Sequence, residues 1–247
     1  MTENTKHHLY HKNIPTRFIN TDTIIEFDKF YSKERFRFIK ENIDFNNTNI
    51  LDIGANNGYF ILEALDNGSV NAIAYEGNKD SQQEFKNYIN KSNDNIKLYT
   101  EYYDFEKESV LGHFDITILL NVLHHLGDDF GDSNLSREKA LKEIIRYLNS
   151  ILKNTNILIF QLGFNWKGNI NLPLFENGTK KELIDFITNN LNNEYKILKI
   201  GIAEKKCEGA DIVYNELNEI NIKRDDRLGE FLNRPLFIIR GALKGDL

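Results

Sequence analysis

The chain has 247 residues, a net charge of −6 and a single cysteine. This length suits one α/β domain with additions at its edges. The acidic balance argues against a nucleic-acid partner, because proteins that bind nucleic-acid phosphates usually carry a basic face. The sequence contains no apolar run of the ~18 residues that a membrane span needs, and we expect no membrane partner. The polar N-terminus and the lone Cys207, which excludes an internal disulfide, favour a cytoplasmic protein.

The N-terminal segment shows little periodicity. Residues 1–22 predict either a loose tail or a lid over a site, and as a lid they would bring Tyr10, His11 and Arg17 to a substrate. Apolar positions between Thr23 and Ile43 predict one or two amphipathic helices ahead of the first strand.

The segment Asn49–Phe60 combines a buried strand, a tight loop and the start of a helix. Gly54 and Gly58 allow positive φ and a close approach of backbone to a ligand. Such a unit is typical of nucleotide-binding α/β proteins, and the N–H groups that open its helix favour a polar or anionic ligand group. A dinucleotide fingerprint is absent, since Asn56 and Tyr59 stand where G-x-G-x-x-G needs glycine.

Two shorter strands are predicted next. The strand Val70–Gly77 carries an acid near its end, Glu76, which lies 24 positions after Asp52. An acid at this place can accept hydrogen bonds from both hydroxyls of a ribose. A helix is predicted over Asp80–Ile89 and a third strand over Asn95–Tyr103.

The segment Phe114–His125 predicts a strand buried on both faces, followed by polar residues. Because ligands of open parallel sheets bind beyond the carboxyl ends of the strands, Ile53, Tyr75 and Asn121 are expected at one crevice. His124 and His125 would follow at the same edge. Since consecutive side chains point apart, one histidine would face the crevice while the other packs.

A metal site is the competing use of this region. Carboxylates combined with histidine suit a divalent ion. The acids here lack the spacing of a calcium loop, and an acidic run after a strand is more often solvated, so we predict no bound metal. The residues that would furnish the ligands are His124, His125, Asp128, Asp129 and Asp132.

The C-terminal part is predicted to complete the sheet. A long irregular segment over 163–178 is interpreted as a substrate-side wall, with Gln161, Asn165 and Trp166 as candidate substrate contacts. The other predicted elements are a helix over Arg137–Leu152, strands over Ile157–Leu162, Tyr195–Ala203 and Pro235–Leu243, a helix capped by Thr179, and an insertion over 207–234. We divide the chain into a tail and helical cap over 1–44 and one domain over 45–247.

Two motifs carry a resemblance to a known family. D-x-G-A-N-x-G-Y-F, from Asp52 to Phe60, resembles the first motif of class I S-adenosylmethionine (SAM)-dependent methyltransferases, of the small-molecule or sugar O-methyltransferase type, although Asn56 replaces the middle glycine. F-D-x-x-x-x-x-N-V-L-H-H, from Phe114 to His125, resembles their fourth motif. The resemblance implies a doubly wound, mostly parallel, seven-stranded Rossmann-like α/β sheet with helices on both faces and the last strand antiparallel.

The resemblance also implies SAM as cofactor. Asp104 and Phe105 would meet the adenine, and Glu76 the ribose. The candidate cofactor-binding residues are Asp52, Gly54, Asn56, Gly58, Tyr59, Phe60, Glu76, Asp104, Phe105 and Asn121.

Methyl transfer to a hydroxyl requires orientation of the acceptor and removal of a proton, for which a neutral imidazole is suited. We therefore expect His124 or His125 to be the general base. The expected acceptor is a small polar metabolite such as a sugar, a nucleotide-linked compound or a surface-polysaccharide precursor. An RNA or protein methyltransferase and a non-catalytic SAM-binding partner subunit are the alternatives.

Overall fold

The structure, a computed structural model, describes residues 14–19, 30–92, 94–107, 112–206 and 211–243. Tyr10 and His11 lie outside the described residues, together with most of the predicted tail. The division into a cap over residues 1–44 and a domain over 45–247 therefore stays a prediction.

The described residues form eight strands. These are β1 Asn49–Ile53, β2 Asn71–Tyr75, β3 Asn95–Tyr99, β4 Phe114–Leu120, β5 Thr155–Gln161, β6 Lys196–Lys205, β7 Ile212–Glu216 and β8 Leu236–Arg240. They pair into one sheet in the order β3-β2-β1-β4-β5-β8-β6-β7. β1 to β5 are parallel, while β8 is antiparallel to both of its neighbours. A mostly parallel sheet with an antiparallel last strand is thus confirmed.

The predicted count of seven strands is wrong. The additional strand is β7, which lies within the segment over 207–234 that the sequence presented as an insertion. It is an edge strand paired antiparallel to β6, and only Ile212 and Tyr214 point their side chains into the core. A five-residue strand with two buried side chains leaves little apolar periodicity in the sequence, which is why the pattern did not reveal it.

Six helices accompany the sheet in the described ranges, and all but the last, α6, lie close to their predicted positions. They are α1 Ser32–Asn42, α2 Tyr59–Asp66, α3 Lys79–Ile89, α4 Arg137–Lys153, α5 Lys180–Asn190 and the single turn α6 Gly229–Leu232. Thr179 caps α5 as predicted, in a capping box with Glu182. None of the described helices combines the length and the apolarity that crossing a bilayer requires.

The helices cover both faces of the sheet, as the doubly wound prediction requires. Ile50 and Ile118 belong to an apolar layer with α1, α2 and Phe85 of α3, whereas Leu51 and Phe160 belong to a layer with α4 and α5. Side chains of successive strand residues therefore enter opposite layers. The carboxyl ends of β1, β2 and β4 are left at one edge, where the loops that follow them meet.

Candidate active site

A cleft opens where β1, β2 and β4 end. Its free space is about 790 Å³, part of it open to solvent. Ile53, Tyr75 and Asn121 all line it, so the structure brings together the three strand ends that the sequence placed at one crevice. The other lining residues are Gly54, Asn56, Glu76, Gly77, Tyr102, Tyr103, Phe105, Leu120, Val122, His125, Asp129 and Phe130.

The loop after β1 forms the floor of the cleft through its backbone. Gly54, Asn56 and Gly58 all have positive φ, at 74°, 54° and 86°. A Cβ on Gly54 would lie 2.5 Å from Val122 Cγ2, and one on Gly58 would lie 2.2 Å from Phe85 Cε2. The first glycine thus keeps the cleft open and the second lets the loop pack against α3.

Glu76 lies at the end of β2 with its side chain turned into the cleft. It is 7% exposed, and its two oxygens accept the backbone N–H groups of Asn56 and Asn78, each at 2.6 Å. Each carboxylate oxygen has a further lone pair, so Glu76 can still accept hydrogen bonds from ligand hydroxyls. The acid therefore fixes the glycine loop at the edge of the cleft.

The predicted adenine contacts divide into one residue inside the cleft and one outside it. Phe105 lines the cleft, with its ring 5.0 Å from the rings of both Tyr103 and Phe130. Asp104 is exposed, pairs with Lys107 at 3.0 Å and does not line the cleft. The turn points the acid to solvent and the aromatic ring inward.

Tyr102 is a cleft residue that the sequence analysis did not single out. Its ring packs against Gly77, where an added Cβ would lie 2.5 Å from Cδ1. Burial, followed by Asp129 and Glu76, raises the pKa of Tyr102. The sequence analysis considered only the neighbouring Asp104 and Phe105 as adenine contacts. Tyr102 lines the same cleft as Phe105.

His124 and His125 have separate roles in this structure. His124 is 2% exposed, and its Nδ1 accepts the backbone N–H of Gly163 at 3.3 Å. Burial, followed by His125 and Arg234, holds the pKa of His124 well below its usual range. His124 is thus a neutral packing residue, and the structure does not place it in the cleft.

His125 is the histidine that lines the cleft. Its Nδ1 lies 3.4 Å from Oδ2 of Asp129, and its ring packs over Gly168, where an added Cβ would lie 3.1 Å from Cε1. A carboxylate at this distance stabilises the ring when it is protonated, and Nε2 is the ring nitrogen on the side away from Asp129. The expected division between one packing and one cleft-facing histidine matches this arrangement.

The turn after the histidines brings acids back to His125. Donor atoms of His125, Asp128 and Asp129 lie within 4.8 Å of one another, so these three of the five residues considered as metal ligands could share a divalent ion. Asp132 instead accepts the backbone N–H of Asn134 at 2.9 Å.

A second recess adjoins the cleft. The two share Gly54, Asn56, Leu120 and Asn121. The remaining residues of the second recess are Arg35, Asp52, Ala55, Asn57, Tyr59, Phe60 and Ile118.

Buried polar side chains line this second recess. Asp52 is 3% exposed, and burial, followed by Glu76, raises its pKa well above the usual range. Asn57 is fully buried, and neither of its amide atoms has a hydrogen-bond partner among the described residues. Arg35 is fully buried between the rings of Phe60 and Phe231. The second recess therefore offers a cation and an amide to a polar ligand group.

Arg35 is a second residue that the sequence analysis missed. A signal for it exists, because Arg35 lies four positions from both Tyr31 and Ile39 and thus shares the apolar face of α1. A charged residue on a buried helix face indicates a buried partner or a ligand.

The predicted substrate residues are dispersed. Arg17 lies at the surface, where it pairs with Asp66 and Asp94. Trp166 is 7% exposed and donates through Nε1 to the carbonyl of Leu126 at 2.7 Å, so its ring is part of the core. Asn165 forms an isolated bridge with Pro173 and lines neither recess.

Gln161 is fully buried behind Asn121, whose Nδ2 donates to its Oε1 at 3.0 Å. None of the four described substrate candidates, Arg17, Gln161, Asn165 and Trp166, lines either recess.

Comparison with known proteins bears on the fold. The sequence matches no protein-family model, and a search of curated proteins finds no match. A protein from Listeria monocytogenes, described as a putative S-adenosylmethionine-dependent methyltransferase, superposes with a TM-score of 0.52 at 11% identity over 86% of this chain and 100% of that chain. Monomeric WbdD superposes with a TM-score of 0.53 at 15% identity over 86% of this chain and 43% of the WbdD chain, so this chain spans less than half of that protein. These likenesses show that the chain has the class I methyltransferase fold.

Proposed function

We propose that this chain, which has the class I methyltransferase fold, is an enzyme that transfers a methyl group from SAM to a hydroxyl or similar oxygen of a small polar metabolite. The observation that carries the proposal is the joint placement of a glycine loop, an acid and an imidazole in one cleft. Gly54, Glu76 and His125 all line it. Sugars, nucleotide-linked compounds and surface-polysaccharide precursors are the acceptor classes that we favour.

The residues of the cleft fit the adenosine part of SAM. Glu76 would accept the ribose hydroxyls, and the rings of Phe105 and Tyr102 would contact the adenine. No basic residue is among those that line the cleft beside the imidazole of His125, so the sulfonium charge meets acids rather than cations.

The second recess fits the amino-acid part of SAM. The guanidinium of Arg35 suits a carboxylate, and the amide of Asn57, which has no partner in the described structure, can bond either a carboxylate or an amine. Tyr59 and Phe60, predicted as cofactor residues, line the same recess. When bound, SAM would supply a methyl group on a sulfonium, and the neutral thioether that remains is a good leaving group that needs little assistance.

His125 and Asp129 are proposed to remove the acceptor proton. Asp129 stabilises the imidazolium that forms when Nε2 of His125 takes the hydroxyl proton, because its carboxylate lies 3.4 Å from Nδ1. The remaining contribution of the protein is to hold the acceptor oxygen in line with the methyl group and to exclude water.

The electrostatics of the cleft favour a small acceptor. Glu76 and Asp129 line it, and the whole chain carries a net charge of −6, whereas an RNA-binding face would be basic. The motif residues Asp52, Gly54 and Glu76 are all present, which disfavours a degenerate, non-catalytic partner subunit.

Titration with S-adenosylhomocysteine tests the proposal. We expect micromolar binding to the wild-type protein by calorimetry and a matching rise in Tm, since a ligand that binds only the folded state stabilises it. Glu76→Gln should weaken binding by about 100-fold, because it removes the charge and places an amide NH2 against one of the two backbone N–H groups that Glu76 accepts. Glu101→Gln, at an exposed acid outside the cleft, is the matched control. Absence of binding to the wild-type protein would refute the proposal.

A screen of sugars, nucleotide sugars and phosphorylated metabolites with labelled SAM identifies the acceptor. Repeating it with a chelator separates two uses of the same residues. Turnover that survives the chelator supports His125 as a base, whereas turnover that the chelator abolishes would assign His125, Asp128 and Asp129 to a divalent ion.

A further inference from the structure

A partly buried polar network lies behind the edge that the cleft shares with the second recess. It joins residues far apart in the chain through side-chain hydrogen bonds. We call it the Gln161 network, and its members are Arg35, Asn121, Gln161, Glu230 and Arg234.

Gln161 is at the centre of the network and is fully buried. Its Oε1 accepts from Nη1 of Arg35 at 3.2 Å and from Nδ2 of Asn121 at 3.0 Å. Its Nε2 donates to the backbone carbonyl of Arg234 at 2.8 Å. The side-chain carbonyl of Gln161 is thus used twice, and its amide orients it.

Arg234 is the member that reaches from the C-terminal segment to the strand end of β4. Nη1 of Arg234 donates to Oδ1 of Asn121 at 2.8 Å, while Nε donates to Glu230 at 3.0 and 3.1 Å. Glu230 in turn accepts the backbone N–H of Phe164 at 3.0 Å. Because the arginine side chain is only 11% exposed, these charge-assisted bonds are little screened by solvent.

Asn121 is the residue on which the network acts. Its backbone has φ 60°, in the left-handed region. Asparagine adopts this region more readily than other non-glycine residues, but it still loses backbone freedom there that glycine keeps. Both ends of its side chain are held, Oδ1 by Arg234 and Nδ2 by Gln161. Asn121 lines both the cleft and the second recess, so its conformation sets the shape of their common edge.

We propose that Arg234 is a positioning residue of this site, which holds Asn121 in its left-handed conformation and thereby shapes the edge that contacts the donor. The inference rests on the proposed function for the identity of that donor, SAM. An unusual backbone conformation persists where the surrounding contacts hold it in place. Asn121 is held by two side-chain hydrogen bonds and by the bond from its backbone N–H to the carbonyl of Gln161.

The first test uses Arg234→Lys without any ligand. Lysine keeps a positive charge opposite Glu230 but lacks the planar fork that bonds Glu230 and Asn121 together. A crystal structure of the variant should show Asn121 outside the left-handed region or in two conformations. An unchanged Asn121, with the substituted lysine side chain ordered away from it, would overturn the inference.

The second test is a double-mutant cycle read by calorimetry with S-adenosylhomocysteine. Arg234→Lys should weaken binding about tenfold, as expected when one hydrogen bond to a charged group is lost. Glycine adopts positive φ without support, so in an Asn121→Gly background the same Arg234→Lys change should alter binding less than about twofold. Equal effects of Arg234→Lys in both backgrounds would overturn the inference.

Arg227→Lys is the matched control. Arg227 lies in the same segment and bonds Asp225 through Nε and Nη2, but it does not contact Asn121. Its substitution should leave the affinity for S-adenosylhomocysteine unchanged. A lower Tm for Arg234→Lys with unchanged affinity would show a merely structural role and overturn the inference.

Two further provisions keep the outcome clear. If Arg234→Lys does not fold, the pair Arg234→Met with Glu230→Gln removes both charges together and takes its place in the same measurements. If the wild-type protein does not bind S-adenosylhomocysteine, the proposed function fails, and the conformation of Asn121 in the ligand-free variant decides the inference by itself.

Discussion

The two halves of the sheet build their shares of the site in different ways. On the β1–β2–β4 side, backbone geometry dominates: Gly54 has positive φ, and Glu76 bonds the loop through backbone N–H groups. On the β5–β8 side, side chains bond partners elsewhere in the chain. Gln161, at the end of β5, accepts from Arg35, and Arg234, just before β8, donates to Asn121. The first half therefore depends on local sequence, and the second on partners that only folding brings together.

Gly54→Ala should produce the largest effect, because it acts on the backbone-built half. The new Cβ would lie 2.5 Å from Val122 Cγ2 at a φ of 74°. We expect a loss of about 2–4 kcal/mol in the free energy of unfolding and a loss of S-adenosylhomocysteine binding of more than about 100-fold. Urea melts and calorimetry measure the two.

Gly112→Ala is the control for this prediction. Gly112 has φ 87°, and no atom of the described residues lies within 4 Å of an added Cβ, so the backbone cost is the expected effect. It should lose about 1 kcal/mol and bind normally. If both variants bind alike, the close approach at Gly54 does not shape the cleft.

The adjacent histidines sharpen the comparison at the level of single residues. His125→Gln should lower turnover by about 100-fold or more with nearly unchanged donor affinity, since it removes the proposed base and leaves the ribose contacts. His124→Gln should lower stability and leave donor affinity nearly unchanged. Turnover with labelled SAM and the acceptor from the screen checks the pair, and wild-type turnover in His125→Gln would exclude it as the base.

Asp52→Asn should stabilise the protein at neutral pH. The pKa of Asp52 is raised in the folded state by burial and then by Glu76. Above the ordinary value of 3.8 the carboxyl ionises freely in the unfolded chain but not in the folded one, so Asp52 lowers the free energy of unfolding there. The gain should be about 1–3 kcal/mol at about pH 7 and should vanish near pH ~3.5. Urea melts at both pH values measure it, and an Asp52→Asn protein that is less stable at neutral pH would contradict the burial argument.

The smallest predicted effect is the pH dependence that His124 imposes. Its pKa is lowered in the folded state, so its stabilising contribution is complete above the ordinary value of 6.5 and is lost as the pH falls toward the folded value. The wild-type protein should therefore lose about 1 kcal/mol more than His124→Gln between about pH 7 and about pH 5. Parallel pH dependences for the two proteins would mean that His124 accepts a proton freely in the fold.

The two halves also differ in what the sequence could predict. The strand ends at Ile53, Tyr75 and Asn121 were foreseeable, because glycine, acid and apolar-run signals are local. The edge strand β7 was not, since only two of its side chains are buried.

The Gln161 network could not be foreseen either. Its hydrogen bonds connect residues separated by 126 and 113 positions, and no spacing rule covers such pairs. The orientation of side chains in a turn could not be predicted from the sequence either. Asp104 is exposed to solvent, whereas the next residue, Phe105, lines the cleft.

A crystal structure with bound S-adenosylhomocysteine tests the central claim most directly. The account predicts the ribose hydroxyls within hydrogen-bonding distance of Glu76, the adenine beside Phe105, and the amino-acid end toward Arg35. An empty cleft at saturating ligand, or a nucleoside bound away from Glu76, would contradict it.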